Sequence, residues 1–217
     1  FWCHDATRAL PSFPPRRSSD LAAYGSAEIL QADLAGLALQ LARWGVTPDQ
    51  LHWLDLPPVA AVAQARDLLQ RLGALLADGR LSTHGQSMAE MPAHPRIAHL
   101  LLRGQELGLA DMACDVAALL GERDILRGAG ADLHSRLVLL SGEQKAQRNA
   151  QGGVQRARQL SRQYRSYLRG KAAQAVTDPD HPRWLGALLA LAYPDRVARQ
   201  RRDGGAEYRL ANGRAAL

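Results

Sequence analysis

The sequence predicts a mainly α protein in three parts: a helix–helix–hairpin unit, a small helical bundle and a terminal β-hairpin. Three observations carry that prediction. Apolar residues recur at spacings of three and four along most of the chain. Glycines and prolines divide those runs into short segments. Asp78-Gly79 and Asn212-Gly213 each stand between flanks suited to a tight two-strand turn. The expected boundaries are a leader at 1–21, the first unit at 22–91, the helical domain at 92–177 and the start of a β region at 178–217.

The leader, Phe1–Asp20, has neither periodicity nor the apolar core of a signal peptide. Its run from His4 to Pro14, followed by Arg16-Arg17-Ser18-Ser19-Asp20-Leu21, resembles translated sequencing-adapter read-through. A flexible tail is the plainer alternative. On either reading these residues are a non-native or disordered leader outside the fold.

Ser26 and Glu28 open the run Ile29, Leu30, Leu34, Leu37, Ala38 and Leu41, which stops at Gly45. That is a helix with an N-cap candidate at Ser26 and a C-terminal glycine. A proline-bearing connection from Thr47-Pro48 to Pro57-Pro58 leads to a second helix, with Val59, Val62, Ala63, Leu68, Leu69 and Leu72 apolar and Gly73 closing it. Asp78-Gly79 then turns a short hairpin, and Thr83 caps a segment through Met88 and Met91. Helix, helix and small hairpin is the arrangement of a winged-helix unit.

Beyond it, glycine-divided helices at 95–103, 109–120 and 132–140 and a longer one at 154–168 predict a helical bundle. The stretch from Ala110 to Leu120 is apolar enough to be its central helix, which makes Cys114 an inert core residue. After Pro179 and Pro182 a helix spans 184–192, and the chain ends in strand-like pieces about Asn212-Gly213, the opening hairpin of a β-domain that is cut off.

Charge is distributed unevenly. Residues 22–144 hold 9 basic and 14 acidic groups, whereas residues 145–217 hold 15 and 5. A basic third on an acidic body points to a polyanion, nucleic acid first. Arg158, Arg162, Arg165 and Arg169 recur at helical spacing on one face, with Ala157, Leu160, Tyr164, Tyr167 and Leu168 on the other. No acidic residue lies between Gln144 and Thr177, while Lys145, Arg148, Arg156 and Lys171 add positive charge. A guanidinium row suits phosphate oxygens, since each group is a fixed fork of donors. The alternatives are a solvated face and a face that meets acidic residues elsewhere. Tyr164 and Tyr167 are expected in the core, with base stacking as the functional alternative. Arg96 follows Pro95 at a helix start, where either a ligand phosphate or an interdomain carboxylate would hold it.

Self-contained catalysis is not expected. Neither lysine stands in a Gly-x-x-x-x-Gly-Lys-Ser/Thr loop, and there is no Gly-x-Ser-x-Gly elbow or His-Glu-x-x-His pair. His94 and His99 lack a nearby third metal ligand. Asp178-Pro179-Asp180-His181 reads as a linker. No catalytic, cofactor or metal residue is therefore assigned. Cys3 and Cys114 form neither a disulfide framework nor a zinc set, which fits the cytoplasm, and Trp184–Tyr193 is about half of a bilayer span, so no membrane partner is expected.

Several segments, in order, resemble the bacterial HrpB-type ATP-dependent RNA helicases, a branch of the DEAH/RHA helicases. They are Glu28–Leu37 with Trp44-Gly45-Val46, Leu72-Gly73-Ala74 with Asp78-Gly79-Arg80-Leu81, Thr83-His84-Gly85 with Met88-Ala89, and Pro92–Leu101. Ala113–Leu120 with Glu122-Arg123-Asp124, Leu191–Ala198 and Tyr208–Arg214 continue the match. The resemblance implies that residues 27–91 are the winged helix following two RecA-like motor domains. It implies a ratchet-like, helicase-associated helical domain at 92–177, lining a channel for single-stranded nucleic acid, and then the first hairpin of a truncated OB-like region. ATP and Mg would be held between motor domains upstream of residue 27. This stretch would guide single-stranded RNA, with DNA a further candidate, through Arg96, Arg148, Arg158, Arg162, Arg165 and Arg169. The alternatives are a free-standing winged-helix nucleic-acid-binding protein and a helical module that docks an acidic protein.

Overall fold

The structure, a computed structural model, describes residues 27–126, 130–148, 150–168, 183–201, 207–211, 213 and 215–216. The leader, Ser26, Arg169, Lys171, the 178–181 linker and Asn212 lie outside the described residues.

The first helix begins later than its apolar pattern suggests. Glu28–Leu30 is a single 3-10 turn, and α1 runs over Ala35–Trp44. Asp33 accounts for the restart, because its Oδ1 accepts the Ala35 N–H at 2.8 Å. Gly45, at φ 72°, closes the helix. α2 spans Val59–Arg71 and ends before Gly73, also in the left-handed region.

The hairpin predicted at Asp78-Gly79 is present but small. It holds one bridge, Leu75 to Leu81, and the Leu76 N–H donates to the Arg80 carbonyl at 2.9 Å. Ser82, not Thr83, caps α3 (Thr83–Glu90) by accepting the Gly85 N–H at 2.9 Å. The same hydroxyl donates to the Gly73 carbonyl at 2.6 Å, which ties the start of α3 to the end of α2.

α4 (Pro95–Glu106), α5 (Ala110–Gly121), α6 (Leu133–Ser141), α7 (Gln151–Tyr167) and α8 (Arg183–Ala192) follow. α4 is a wall shared by two cores. Ala98 packs with Leu39, Leu69, Leu72 and Met88 of the first unit. Ile97, Leu100 and Leu101 pack with Val116, Tyr164 and Leu188 of the bundle. α5 is the central helix: Ala113, Cys114, Val116, Ala117 and Ala118 are fully buried. Burial pushes the Cys114 thiol up to about 12, so the thiolate is not populated near neutrality. Ile125, Leu139, Leu140 and Val154 form a smaller core where α6 meets α7.

A three-stranded antiparallel sheet ends the chain, in the order β1 (Ala198–Gln200), β2 (Tyr208–Leu210) and β3 (Ala215–Ala216). Gly213, at φ 84°, supports the turn expected between β2 and β3. β1 was not expected; three residues with two polar side chains carry too little alternation to announce a strand.

Candidate nucleic-acid interface

α7 carries three arginines of the predicted row, Arg158, Arg162 and Arg165, and its buried stripe fixes where they point. Val154, Ala157, Ser161 and Tyr164 are buried along the helix, with Leu168 just past its end. Tyr164 is core, as expected, but Tyr167 is 46% exposed. The stripe takes Ser161 in its place, only 1% exposed.

The row is not a set of unpaired cations. Arg158 turns toward the end of α6, donating from Nε to the Leu140 carbonyl at 2.8 Å and from Nη2 to Leu139 at 3.2 Å. Arg165 reaches α5, with Nε 2.6 Å from Asp111 Oδ1 and Nη2 3.0 Å from Asp115 Oδ1. Its Nη1 donates to the Ser161 hydroxyl, which donates in turn to Asp115. Arg156 pairs with Glu122 at 3.1 Å. Arg148 and Arg162 are exposed and have no ion-pair partner among the described residues. Among the described residues these two predicted arginines, Arg162 on α7 and Arg148 just before it, have guanidinium groups that stand open.

Arg96 lies apart from the row. Of its two expected partners, the structure supplies the carboxylate: Nη2 meets Asp195 Oδ2 at 3.1 Å, and Nη1 donates to the Ala192 carbonyl at 3.0 Å. The Arg96 hydrogen bond holds the Asp195 carboxyl below the usual carboxylate range. The guanidinium carbons of Arg96 and Arg196 both lie over the Tyr193 ring, 5.0 and 4.8 Å from its centroid. This clasp joins the start of α4 to the turn that leads into β1. A cleft of about 620 Å³ opens beside it, lined among others by Asp33, Asp67, Arg71, Arg96 and Asp195. Within it Asp67 meets Arg71 at 2.8 Å, and the Asp33 carboxylate lies 3.3 Å from His94 Nε2.

His99 pairs with His84 rather than His94, Nδ1 to Nε2 at 2.8 Å. No cluster of three metal-ligating side chains occurs among the described residues. None of their helices is long and apolar enough to cross a membrane. The first unit leaves large apolar groups in water, notably Trp44, Leu56 and Val59.

No protein-family model matches the chain. It is 39% identical over 197 residues to the ATP-dependent RNA helicase HrpB of Escherichia coli (strain K12), a match spanning 90% of this chain and 22% of that protein. It is 31% identical over 101 residues to the probable ATP-dependent RNA helicase DHR2 of Saccharomyces cerevisiae, spanning 46% of this chain and 14% of the relative. Among solved structures, the crystal structure of the E. coli DExH-box NTPase HrpB superimposes with a TM-score of 0.68 at 35% sequence identity, covering 94% of this chain and 23% of that one. A second crystal structure, described as the E. coli DEAH/RHA helicase HrpB, gives the same values. The chain thus spans less than a quarter of the length of the relatives it matches.

Proposed function

From a chain homologous over nine-tenths of its length to an HrpB-type DEAH/RHA helicase, we propose that residues 22–217 are the accessory nucleic-acid-binding portion of an ATP-dependent RNA helicase. In this reading residues 22–91 form the winged helix, 92–177 the helicase-associated helical domain, and 178–217 the start of an OB-like region. ATP hydrolysis belongs to RecA-like motor domains elsewhere in the polypeptide. The residues here do not fit a nucleotide, since Lys145 and Lys171 both lie outside any phosphate-cradling loop. No step of ATP or Mg chemistry is therefore assigned to them.

The observation that carries the reading is the 39% identity maintained over 197 residues. In this reading the arginines on and just before the basic helix divide the labour. Arg158 and Arg165 hold α7 against α6 and α5. Arg148 and Arg162, open to solvent, contact phosphates of single-stranded RNA without reading sequence. Arg169, outside the described residues, joins them in this reading on its sequence spacing alone. Arg96, engaged by Asp195, orients the bundle against the β region. The exposed Trp44, Leu56 and Val59 would face the motor domains, and the cytoplasm is the compartment that goes with RNA unwinding.

Fluorescence anisotropy on the 217-residue chain tests this. Salt-sensitive binding that prefers single-stranded RNA to duplex is expected. Tight binding to duplex DNA, with single strands disfavoured, would overturn it in favour of a free-standing winged-helix protein. Genomic sequence preceding residue 27 supplies a second check: the absence of both a Gly-Lys-Ser/Thr loop and an Asp-Glu-x-His motif from the open reading frame would count against the helicase.

A further inference from the structure

Glutamines recur every four residues along α7. Gln151, Gln155, Gln159 and Gln163 all lie on this helix, and all four are exposed. Positions four apart drift only about 40° around a helix of 3.6 residues per turn, so the row winds slowly across one face. The buried stripe of Val154, Ala157, Ser161, Tyr164 and Leu168 occupies the opposite face. The amides therefore form the outermost ridge of α7, and Arg162 stands beside Gln159 on it.

The side chains of Gln151, Gln155 and Gln159 make no hydrogen bond to a described residue. Gln163 donates from Nε2 to the Tyr167 hydroxyl at 3.4 Å, which engages one of its donors. An exposed helix ordinarily sets Glu among its cations, but no acidic residue lies between Gln144 and Thr177. The ridge is thus a neutral, hydrogen-bonding strip in electropositive surroundings.

Arginine suffices to hold a phosphate, whose oxygens only accept. An amide offers both N–H donors and a carbonyl acceptor. On a nucleic-acid strand the ribose 2′-hydroxyl likewise donates and accepts, and it recurs at every nucleotide. Deoxyribose carries only hydrogen there. Four residues advance about 6 Å along a helix, close to the length of one nucleotide in an extended strand, so successive amides can meet successive sugars.

We propose that Gln151, Gln155 and Gln159 are specificity-determining residues, an amide ridge that recognises ribose 2′-hydroxyls and sets RNA above DNA on this face. Arg162 beside them holds a phosphate and does not tell the two apart. This role rests on the reading that the chain binds single-stranded RNA, and adds to it the choice of sugar. A protein surface could also meet a row of amides, but the acid-free surroundings of this one favour a polyanion.

Fluorescence anisotropy of the full 217-residue chain compares three fluorescein-labelled oligomers of one uracil-only sequence: RNA, its 2′-deoxy analogue and its 2′-fluoro analogue. The unaltered chain should bind the RNA at least about fivefold more tightly than either analogue, as one or more net hydrogen bonds require. The 2′-fluoro sugar keeps the pucker of ribose but has no O–H to donate, so it separates hydrogen bonding from sugar shape without altering the protein. Gln151→Ala with Gln155→Ala and Gln159→Ala should bring the three affinities within about twofold of one another. The log–log salt slope should stay the same, since no charge is removed. Alanine is the stronger helix former, so α7 is retained. Arg162→Ala should do the reverse, lowering the slope by about 0.7 for one phosphate on a single strand while keeping the RNA preference. Equal binding of RNA and the 2′-deoxy strand by the unaltered chain, a 2′-fluoro strand bound as tightly as RNA, or a preference that survives in the triple variant would overturn the amide ridge and leave the helicase reading intact. An unaltered chain that binds no RNA would overturn the helicase reading itself.

Discussion

Arg158 on α7 caps α6: its guanidinium meets the carbonyls of Leu140 and Leu139, at 2.8 and 3.2 Å. Those carbonyls belong to the last turn of α6, where the helix dipole is negative and no intrahelical donor remains. Arg162, one turn along α7, is exposed and has no such partner among the described residues. The two arginines should therefore respond in opposite ways to truncation. Arg158→Ala should lower the unfolding free energy by about 1 kcal/mol with RNA affinity nearly unchanged. Arg162→Ala should leave stability within about 0.5 kcal/mol and weaken RNA binding severalfold. Urea denaturation and anisotropy on the same samples separate them, and a matching loss of RNA affinity in both variants would return Arg158 to the phosphate-binding set.

The joint between α5 and α7 depends on Asp115. It accepts from Arg165 Nη2 at 3.0 Å and from the Ser161 hydroxyl, a side chain only 1% exposed. Asp115→Ala removes the acceptor of a buried hydroxyl and weakens the hold on Arg165, so a loss of about 2 kcal/mol is expected. Asp111→Ala, at an exposed carboxylate, should cost less than about 1 kcal/mol. Equal losses at the two positions in urea melts would show that exposure does not rank them.

Gly104 reverses a common expectation about glycine in helices. By spacing it reads as a terminator after Arg103, yet α4 continues through it to Glu106. A Cβ at this position would collide with the Ala113 Cβ of α5 and press on Leu188 Cδ2 at 3.3 Å. At an open helical site Gly→Ala gains about 1 kcal/mol. Here Gly104→Ala should lose about 1–3 kcal/mol through overpacking. Gly36, within α1 and with nothing near its would-be Cβ, is the control, and Gly36→Ala should stabilise. A stabilised Gly104→Ala protein in thermal melts would mean that α4 and α5 can separate at no cost.

Those cases show what could be read in advance. The helices from α2 to α8 were legible because their apolar stripes are long and their ends carry Gly, Pro, Ser or Asp. α1 starts later than its apolar pattern because one carboxylate, Asp33, restarts the helix, and its effect is a hydrogen bond rather than a periodicity. The arginine row was legible by spacing, but its neutralisation was not. The acidic partners of Arg165 lie 50 and 54 residues away, on α5, so the acid-free stretch around α7 said nothing about them. The pattern puts Tyr167 in the core because it falls on the apolar side opposite the arginines, whereas the buried stripe passes from Tyr164 to Leu168. For Arg96 the sequence allows a phosphate or a carboxylate, and the fold supplies Asp195.

His84 and His99 join α3 to α4 by one hydrogen bond of 2.8 Å between ring nitrogens, with the rings edge to face. Such a bond needs one N–H and one lone pair, so it cannot survive protonation of both rings. His99 is 7% exposed. Burial, followed by the charges of His84 and Arg103, pushes it down to about 4, against smaller opposing effects from Glu106 and the Leu72 backbone. Burial likewise lowers His84. The folded value for His99 lies below the ordinary 6.5 of an unfolded histidine. Between those two values the unfolded chain binds more protons, so stability is complete above 6.5 and falls as pH drops toward about 4. From pH 7 to pH 5, His99 alone should remove about 2 kcal/mol. His99→Gln, which cannot titrate, should flatten that part of the curve while costing some stability at pH 7. Urea midpoints of the two proteins at matched ionic strength read the difference, and an identical pH slope in both would place the titration elsewhere in the molecule.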